Sequence, residues 1–345
     1  MTILRKKFIA NKVLVVDGYV GGGKGLLSAI LSRFDKVEMF YARPEIEHAC
    51  ALSHISSLSV NDAATLIRIW VDEDAYKQSL HRHTNFRFYD ESSVIHHKKK
   101  IETLRRLFEK DRDINFNRFL QDSKVLNLQL HSTTPYAEPI FEALNERLIF
   151  IRIVRSPIST YMFNHVANWS DRWAEDPRSS MICRSIMHEG KQEHVPFFVK
   201  DYDEYVKGDK YQKAAITLEQ WQMLGDTKMD IYKNKYDSKI IEITFEEFVL
   251  KPEPFLSEIA DILGVQISKS ITKEKKKQGI PRKSLTDAPH HDYFYNMGWR
   301  RPQKNLTLQE EFTMYEKDLE KLLSPLYLKK MMRLHKDYLE RHKIF

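Results

Sequence analysis

Three stretches of the sequence carry residues that could do chemistry. In "VLVVDGYVGGGKGLLSAIL" (13–31), four residues separate Gly18 from Gly23, and Lys24 follows at once. This is the first part of the phosphate-loop pattern. A glycine-rich turn between strand and helix aims several backbone N–H groups at one anion, at the positive end of the helix dipole. The pattern then departs, because Gly25 and Leu26 stand where a hydroxyl residue would begin a magnesium site. In "LNLQLHS" an apolar run ends on His131, and in "IFIRIVRSP" another ends on Arg155. A histidine titrates near neutrality and can take a hydroxyl proton, and a guanidinium can grip two anionic oxygens. With the loop, they suit a site that handles anionic oxygen without a metal. Asp17, directly before the loop, is the carboxylate that speaks for a metal. Each residue also has a purely structural reading: a tight turn, a hydrogen-bonded strand-end histidine, a strand-end charge.

These residues need a sheet to hold them. The β-branched run 13–17 reads as a buried strand, followed by the helical spacing of Leu26, Leu27, Ile30, Leu31 and Phe34. Further strands are expected at 124–132, 147–157 and 238–248. Helical patterns fill most of 37–95, and also 101–122 and 305–345. Strands alternating with helices predict an α/β fold with a central parallel sheet flanked by helices, in one domain over 1–345. The stretch 165–235 is rich in Trp, Tyr, His and charge and lacks β alternation. It reads as a helical insertion or lid.

Lys and Arg outnumber Asp and Glu by 55 to 48, for a net charge of +7. The runs "HHKKK" (96–100) and "KEKKK" (273–277) read as solvated helix faces, or as attraction for a polyanionic ligand. No zinc finger, helix-turn-helix or RNA-recognition signature accompanies them, so nucleic acid is not expected as a partner. No apolar run is long enough for a membrane span, and "MTILRKKFIANK" lacks a signal-peptide core. Cys50 and Cys183 sit in unrelated contexts and read as buried reduced thiols. A cytoplasmic protein is the expectation.

Taken in order, the landmarks resemble those of the sulfotransferases that use 3′-phosphoadenosine 5′-phosphosulfate (PAPS), enzymes with a P-loop-like strand–loop–helix. "YVGGGKGLLSAIL" occupies the place of the family's 5′-phosphosulfate loop, and "LQLHSTTPYAEPI" is similar to the strand end that carries its histidine. "FIRIVRSPISTYMFNH" resembles the Arg-x-Pro element that begins the 3′-phosphate site. "IIEITFEEFVLKPEPFLSEIADILGV" resembles a structural segment, and "PRKSLTD" with "GWRRPQKNLT" the C-terminal nucleotide-binding stretch. The chain departs from the family in placing Lys24 about three residues late, with Gly21 in the lysine's own place. Phe163 stands where a serine is expected, and Ser159 lies one helical turn earlier.

The resemblance implies transfer of a sulfuryl group from PAPS to a hydroxyl or amine on a small-molecule or carbohydrate acceptor. It leaves the product PAP and needs no metal. His131 would be the general base, and Lys24 would neutralise the leaving phosphate. Gly21, Gly22, Gly23, Lys24, Gly25 and Leu26 would hold the 5′ end of the nucleotide, and Arg155, Ser159, Arg282 and Lys283 its 3′-phosphate. Asp171, Glu175 and Asp176 are alternative bases, and Arg300 and Arg301 further cations. Trp169, Trp173, Phe197, Phe198 and Tyr202 would line the acceptor pocket. Two other readings compete: a small-molecule kinase using ATP and magnesium, and a non-enzymatic module that binds an anion or polyanion.

Overall fold

The structure, a computed structural model, describes residues 7–82, 84–90, 92–96, 100–110, 112–167, 173, 175–176, 179, 181–285, 287 and 306–344. The first half runs β1 (Lys12–Asp17), α1 (Lys24–Leu31), β2 (Tyr41–Ala42), α2 (Pro44–His54) and α3 (Val60–Ser79). Next come α4 (Lys100–Leu107), α5 (Arg112–Gln121), β3 (Val125–Gln129), α6 (Glu138–Leu144), β4 (Leu148–Val154) and α7 (Pro157–Ala167). Then follow β5 (Cys183–His188), β6 (Lys191–Pro196), α8 (Tyr202–Lys207), α9 (Lys210–Lys235), β7 (Lys239–Thr244), α10 (Phe245–Leu250), α11 (Glu253–Leu263) and α12 (Lys269–Lys277). Helices α13 (Leu308–Leu322) and α14 (Pro325–His342) close the chain.

Five parallel strands form the main sheet in the order β2-β3-β1-β4-β7. The pattern of burial explains why. Along β1, Val13 and Val15 enter one core and Leu14 and Val16 the other, and β4 divides Leu148 and Phe150 from Ile149, Ile151 and Ile153 in the same way. A strand apolar on both faces is stable only between two helical layers. Helices α1, α11 and α12 cover one face, and α2, α3, α6, α7 and α9 the other. β1 is central, with β3 and β4 on its two sides. Their carboxyl ends lie together at the switch point of the topology, where α/β sheets bind ligands.

The expected parallel sheet with flanking helices is present, but the strand expected at 147–157 ends at Val154 and Pro157 already opens α7. Pairing of β3 stops at Gln129, so His131 lies in the turn beyond it. The expected strand 238–248 gives way at Phe245 to α10, whose Phe245, Phe248 and Val249 share a buried face at helical spacing. The fifth strand, β2, is only two residues long and lies in a stretch read as helical. The insertion holds the long helix α9, started by a capping box between Asp209 and Gln212. It also holds an antiparallel hairpin, β5–β6, which the helical reading missed. Its two-residue turn, Glu189-Gly190, has positive φ at both positions, the hairpin geometry that matches strand twist. Cys50 is buried and Cys183 half-buried, both as free thiols. Among the described residues no helix is long and apolar enough to cross a membrane.

Candidate functional site

The loop after β1 is shaped by close contacts. A Cβ on Gly18 would lie 2.3 Å from the Ile153 carbonyl oxygen of β4, so only glycine fits there. Gly23 caps α1 with φ of 96°, and a Cβ on it would strike the Phe245 ring at 2.5 Å. Lys24 does not reach outward. Its Nζ turns back and donates to the carbonyls of Gly18 and Tyr19, each at 2.8 Å. Burial lowers its pKa to about 8, against the opposing pull of the Asp17 and Glu47 charges. The ammonium is therefore a strut of its own loop. Gly21 and Gly25 are half-buried and Gly22 is buried, while Leu26 packs on the α1-side core.

The loop is stitched to the end of β3. Leu130 N donates to Val16 O at 2.9 Å and Ser132 N to Gly18 O at 3.0 Å, which sets His131 beside the start of the loop. Asp17 locks this join: Oδ1 accepts from Thr133 N at 3.1 Å, and Oδ2 accepts from Thr134 N and Oγ1, both at 2.5 Å. Asp17 is completely buried, and both its oxygens are engaged in holding the strand end. From the other side, Trp221 of α9 donates its indole N–H to Ser132 O at 2.7 Å.

His131 is 38% exposed, and its Nδ1 lies 2.9 Å from Oε1 of the buried Glu47 of α2. Burial raises the Glu47 pKa, and the bond to His131 and the imidazole's charge oppose that rise. When Glu47 is ionised, Nδ1 carries the proton and donates it, so Nε2 keeps the lone pair. An imidazole oriented by a carboxylate can accept a proton at its other nitrogen. The sequence singled out His131 and not Glu47.

Arg155 and Arg282 meet around one ring. Their guanidinium carbons lie 4.5 and 5.4 Å from the centroid of Phe245, a residue the sequence did not single out. Arg155 Nη1 also donates to Gly21 O at 3.2 Å, joining this corner to the loop. Arg282 is held by its backbone N–H to Val249 O at 2.7 Å and by Nη1 to Leu285 O at 3.2 Å. Beneath Arg155, the buried Glu246 accepts from Ser156 N at 2.9 Å and from the Tyr338 hydroxyl at 2.6 Å. Burial raises its pKa, and Tyr338 and Arg155 oppose that.

The other sequence candidates scatter. Lys283 is exposed. Ser159 is buried in α7, and its hydroxyl has no hydrogen-bond partner among the described residues. Trp173, Phe197 and Phe198 belong to the packed core, where Phe197 meets Tyr136 at 4.7 Å. Tyr202 is half-buried and accepts a hydrogen bond from Arg184. Tyr19 and Trp221, 5.0 Å apart, line a cavity of about 10 Å³ with Gly22, Arg155 and Gln222, room for one water. Glu175 is exposed and Asp176 half-buried, while Trp169, Asp171, Arg300 and Arg301 lie outside the described residues.

No protein-family model matches the chain, and no curated protein sequence does. Among solved structures, the chain is similar to the sulfotransferase domain from the curacin biosynthetic pathway. The identity is 12%, covering 96% of this chain and 98% of that one, with a TM-score of 0.46. It is likewise similar to the sulfotransferase domain from the Synechococcus PCC 7002 olefin synthase, at 12% identity over 98% of each chain and a TM-score of 0.45. Sulfotransferase STF9 from Mycobacterium avium aligns at 11% identity over 97% of this chain and 78% of its own, with a TM-score of 0.42. At these identities and scores the likeness extends to the course of the chain and no further.

Proposed function

We propose that this chain is a sulfotransferase that moves a sulfuryl group from PAPS to a hydroxyl or amine of a small-molecule or carbohydrate acceptor. The observation that carries the reading is the join of the Glu47–His131 pair to the glycine loop, through the Ser132 N–H on Gly18 O. It brings a proton acceptor and an anion cradle to one sheet edge.

The residues suit the donor. Gly18 and Gly23 let the loop pack close against β4 and the Phe245 ring, where a Cβ would collide, and beside it the buried Nε of Arg155 has no hydrogen-bond partner among the described residues. Bound PAPS supplies the activated sulfuryl group. Within the chain, His131 Nε2 takes the acceptor's proton while Glu47 holds the ring and balances the charge it gains. Lys24, once released from its two carbonyls, offers its ammonium to the leaving oxygen. Arg155 and Arg282, set by Phe245, grip the 3′-phosphate. A magnesium-dependent kinase is disfavoured because both Asp17 oxygens are engaged by Thr133 and Thr134, and because Gly25 and Leu26 offer no hydroxyl.

The test is a melting-temperature series with PAP, PAPS, ATP and ADP, each with and without magnesium. A ligand of the native state raises its stability. PAP is expected to stabilise the protein in the presence of EDTA. Loss of nucleotide binding in EDTA, or stronger stabilisation by ATP with magnesium than by PAP, overturns the reading in favour of a kinase.

A further inference from the structure

One surface of the molecule is built against the usual order. Helix α4 buries Thr103, which is 3% exposed, and turns Ile101 outward: Ile101 and Phe108, just past the helix end, are each 84% exposed. Leu104 stands with them, and the spacing 101, 104, 108 places all three on one helical stripe. Next to α4 the loop 85–94 presents Phe86, Phe88 and Tyr89, the last 89% exposed. That loop is internally braced. Asn85 Nδ2 donates to Asp90 Oδ2 at 3.1 Å and to Ser92 Oγ at 2.9 Å, and Val94 N donates to Asn85 O at 2.8 Å. Phe86 and Phe88 are 58% and 60% exposed.

The sequence around the stripe is rich in positive charge. Between Val94 and Arg106 there are five Lys and Arg against one Glu. His96, where one basic run begins, and Lys277, where the other ends, are far apart in sequence and lie near each other here. Burial and then the neighbouring charge of Lys277 hold the His96 imidazole below the usual histidine range. The Phe88 backbone is hydrogen-bonded to that same imidazole. Lys273, Lys276 and Lys277 of α12 are exposed, Lys277 lying 3.9 Å from Glu274.

A soluble polyanion would satisfy the lysines and leave Ile101, Leu104 and Phe108 in water. A second copy of this chain would bring like charge against like. The interface of an anionic bilayer meets both needs, taking apolar side chains below its headgroups and cations at their level. We infer that the face formed by α4, the 85–94 loop and the α12 lysines docks the protein on a membrane rich in anionic phospholipid. His96 also feels Arg33, just beyond the C-terminal end of α1, so docking there leaves the loop at the other end of α1 uncovered. This inference is independent of the chemistry proposed for that loop.

The experiment is co-sedimentation of the full chain with vesicles of phosphatidylcholine alone, or of two parts phosphatidylcholine to one part phosphatidylserine. The wild type is expected on the mixed vesicles, to weaken as salt is raised, and to bind the neutral ones at least about tenfold more weakly. Ile101→Ser/Phe108→Ser and Lys276→Glu/Lys277→Glu, all at exposed positions, should each lower the affinity about tenfold or more while the melting temperature stays put. Equal binding of that apolar double variant overturns the inference. So does heparin binding without vesicle binding, which assigns the face to a soluble polyanion. Self-association lost in Ile101→Ser/Phe108→Ser, with no vesicle binding, overturns it in favour of a second copy.

Discussion

Glu47 and His131 are 84 residues apart in sequence, yet the carboxylate of one meets the Nδ1 of the other at 2.9 Å. A helix on one face of the sheet and a strand end at its edge supply the two halves of one device. If His131 is the base, His131→Ala should cut turnover by about 10²–10⁴-fold. Glu47→Gln keeps a hydrogen-bond acceptor and loses the charge, so it should lower kcat by roughly tenfold and leave the KM for the donor alone. The double variant should be no slower than His131→Ala, because each residue acts through the other. Additive losses in that cycle would show that Glu47 serves the fold rather than the base.

Arg155 is tied to the loop at Gly21 and to the ring of Phe245. Arg155→Ala should weaken PAP by about one to two decades, the worth of a charge-assisted contact. Adenosine 5′-phosphosulfate, which lacks the 3′-phosphate, should lose much less. Equal loss for both ligands, measured by calorimetry, would move Arg155 to the 5′ side of the site.

Lys24 makes the site answer to pH. Below about 8 its amine is protonated whether the chain is folded or not. Between about 8 and the ordinary 10.5, the unfolded chain holds a proton that the folded one has released, so stability from this group rises with pH across that window. An anion beside the amine raises its pKa again. PAP binding at about pH 9 should therefore take up close to one proton, seen as a binding enthalpy that depends on the buffer's ionisation heat. The uptake should vanish in Lys24→Met. A buffer-independent enthalpy for the wild type would place the ligand away from Lys24.

Gly18→Ala tests the loop itself. The added methyl would sit 2.3 Å from a backbone oxygen of β4, which cannot swing aside as a side chain could. Overpacking of this kind costs about 1–3 kcal/mol, so denaturant unfolding should show a lower midpoint at unchanged slope. An unchanged midpoint would mean that β1 and β4 separate readily at this end.

What the sequence could disclose depended on whether a contact is local. The loop from Gly18 to Lys24, His131 and Arg155 each end an apolar run, and the run itself reports which sheet edge they reach. Glu47 and Phe245 carry no such mark. Glu47 lies in a helix with little amphipathic contrast, and Phe245 reads as the end of a strand when it opens a helix instead. The hairpin β5–β6 escaped because β5 has no buried position, leaving no clean alternation, although Glu-Gly at its turn was in view. Trp173, Phe197 and Phe198 looked like pocket lining by composition, and it took the packing of α9 and the hairpin to show them as core. The direction of the Lys24 side chain was equally out of reach, since two carbonyls decide it and no residue type does.

The engagement of Asp17 limits what else that carboxylate can do. In a strand–loop–helix of this kind an acid near the loop is raw material for metal chemistry, and point changes at Gly25 or Leu26 could restore a hydroxyl. Here the acid is the rivet between the glycine loop and the strand end that carries His131. Freeing it for a cation would unfasten the histidine, and keeping it fastened withholds it from the cation. A cation at this loop and a fastened His131 are therefore rival claims on one carboxylate.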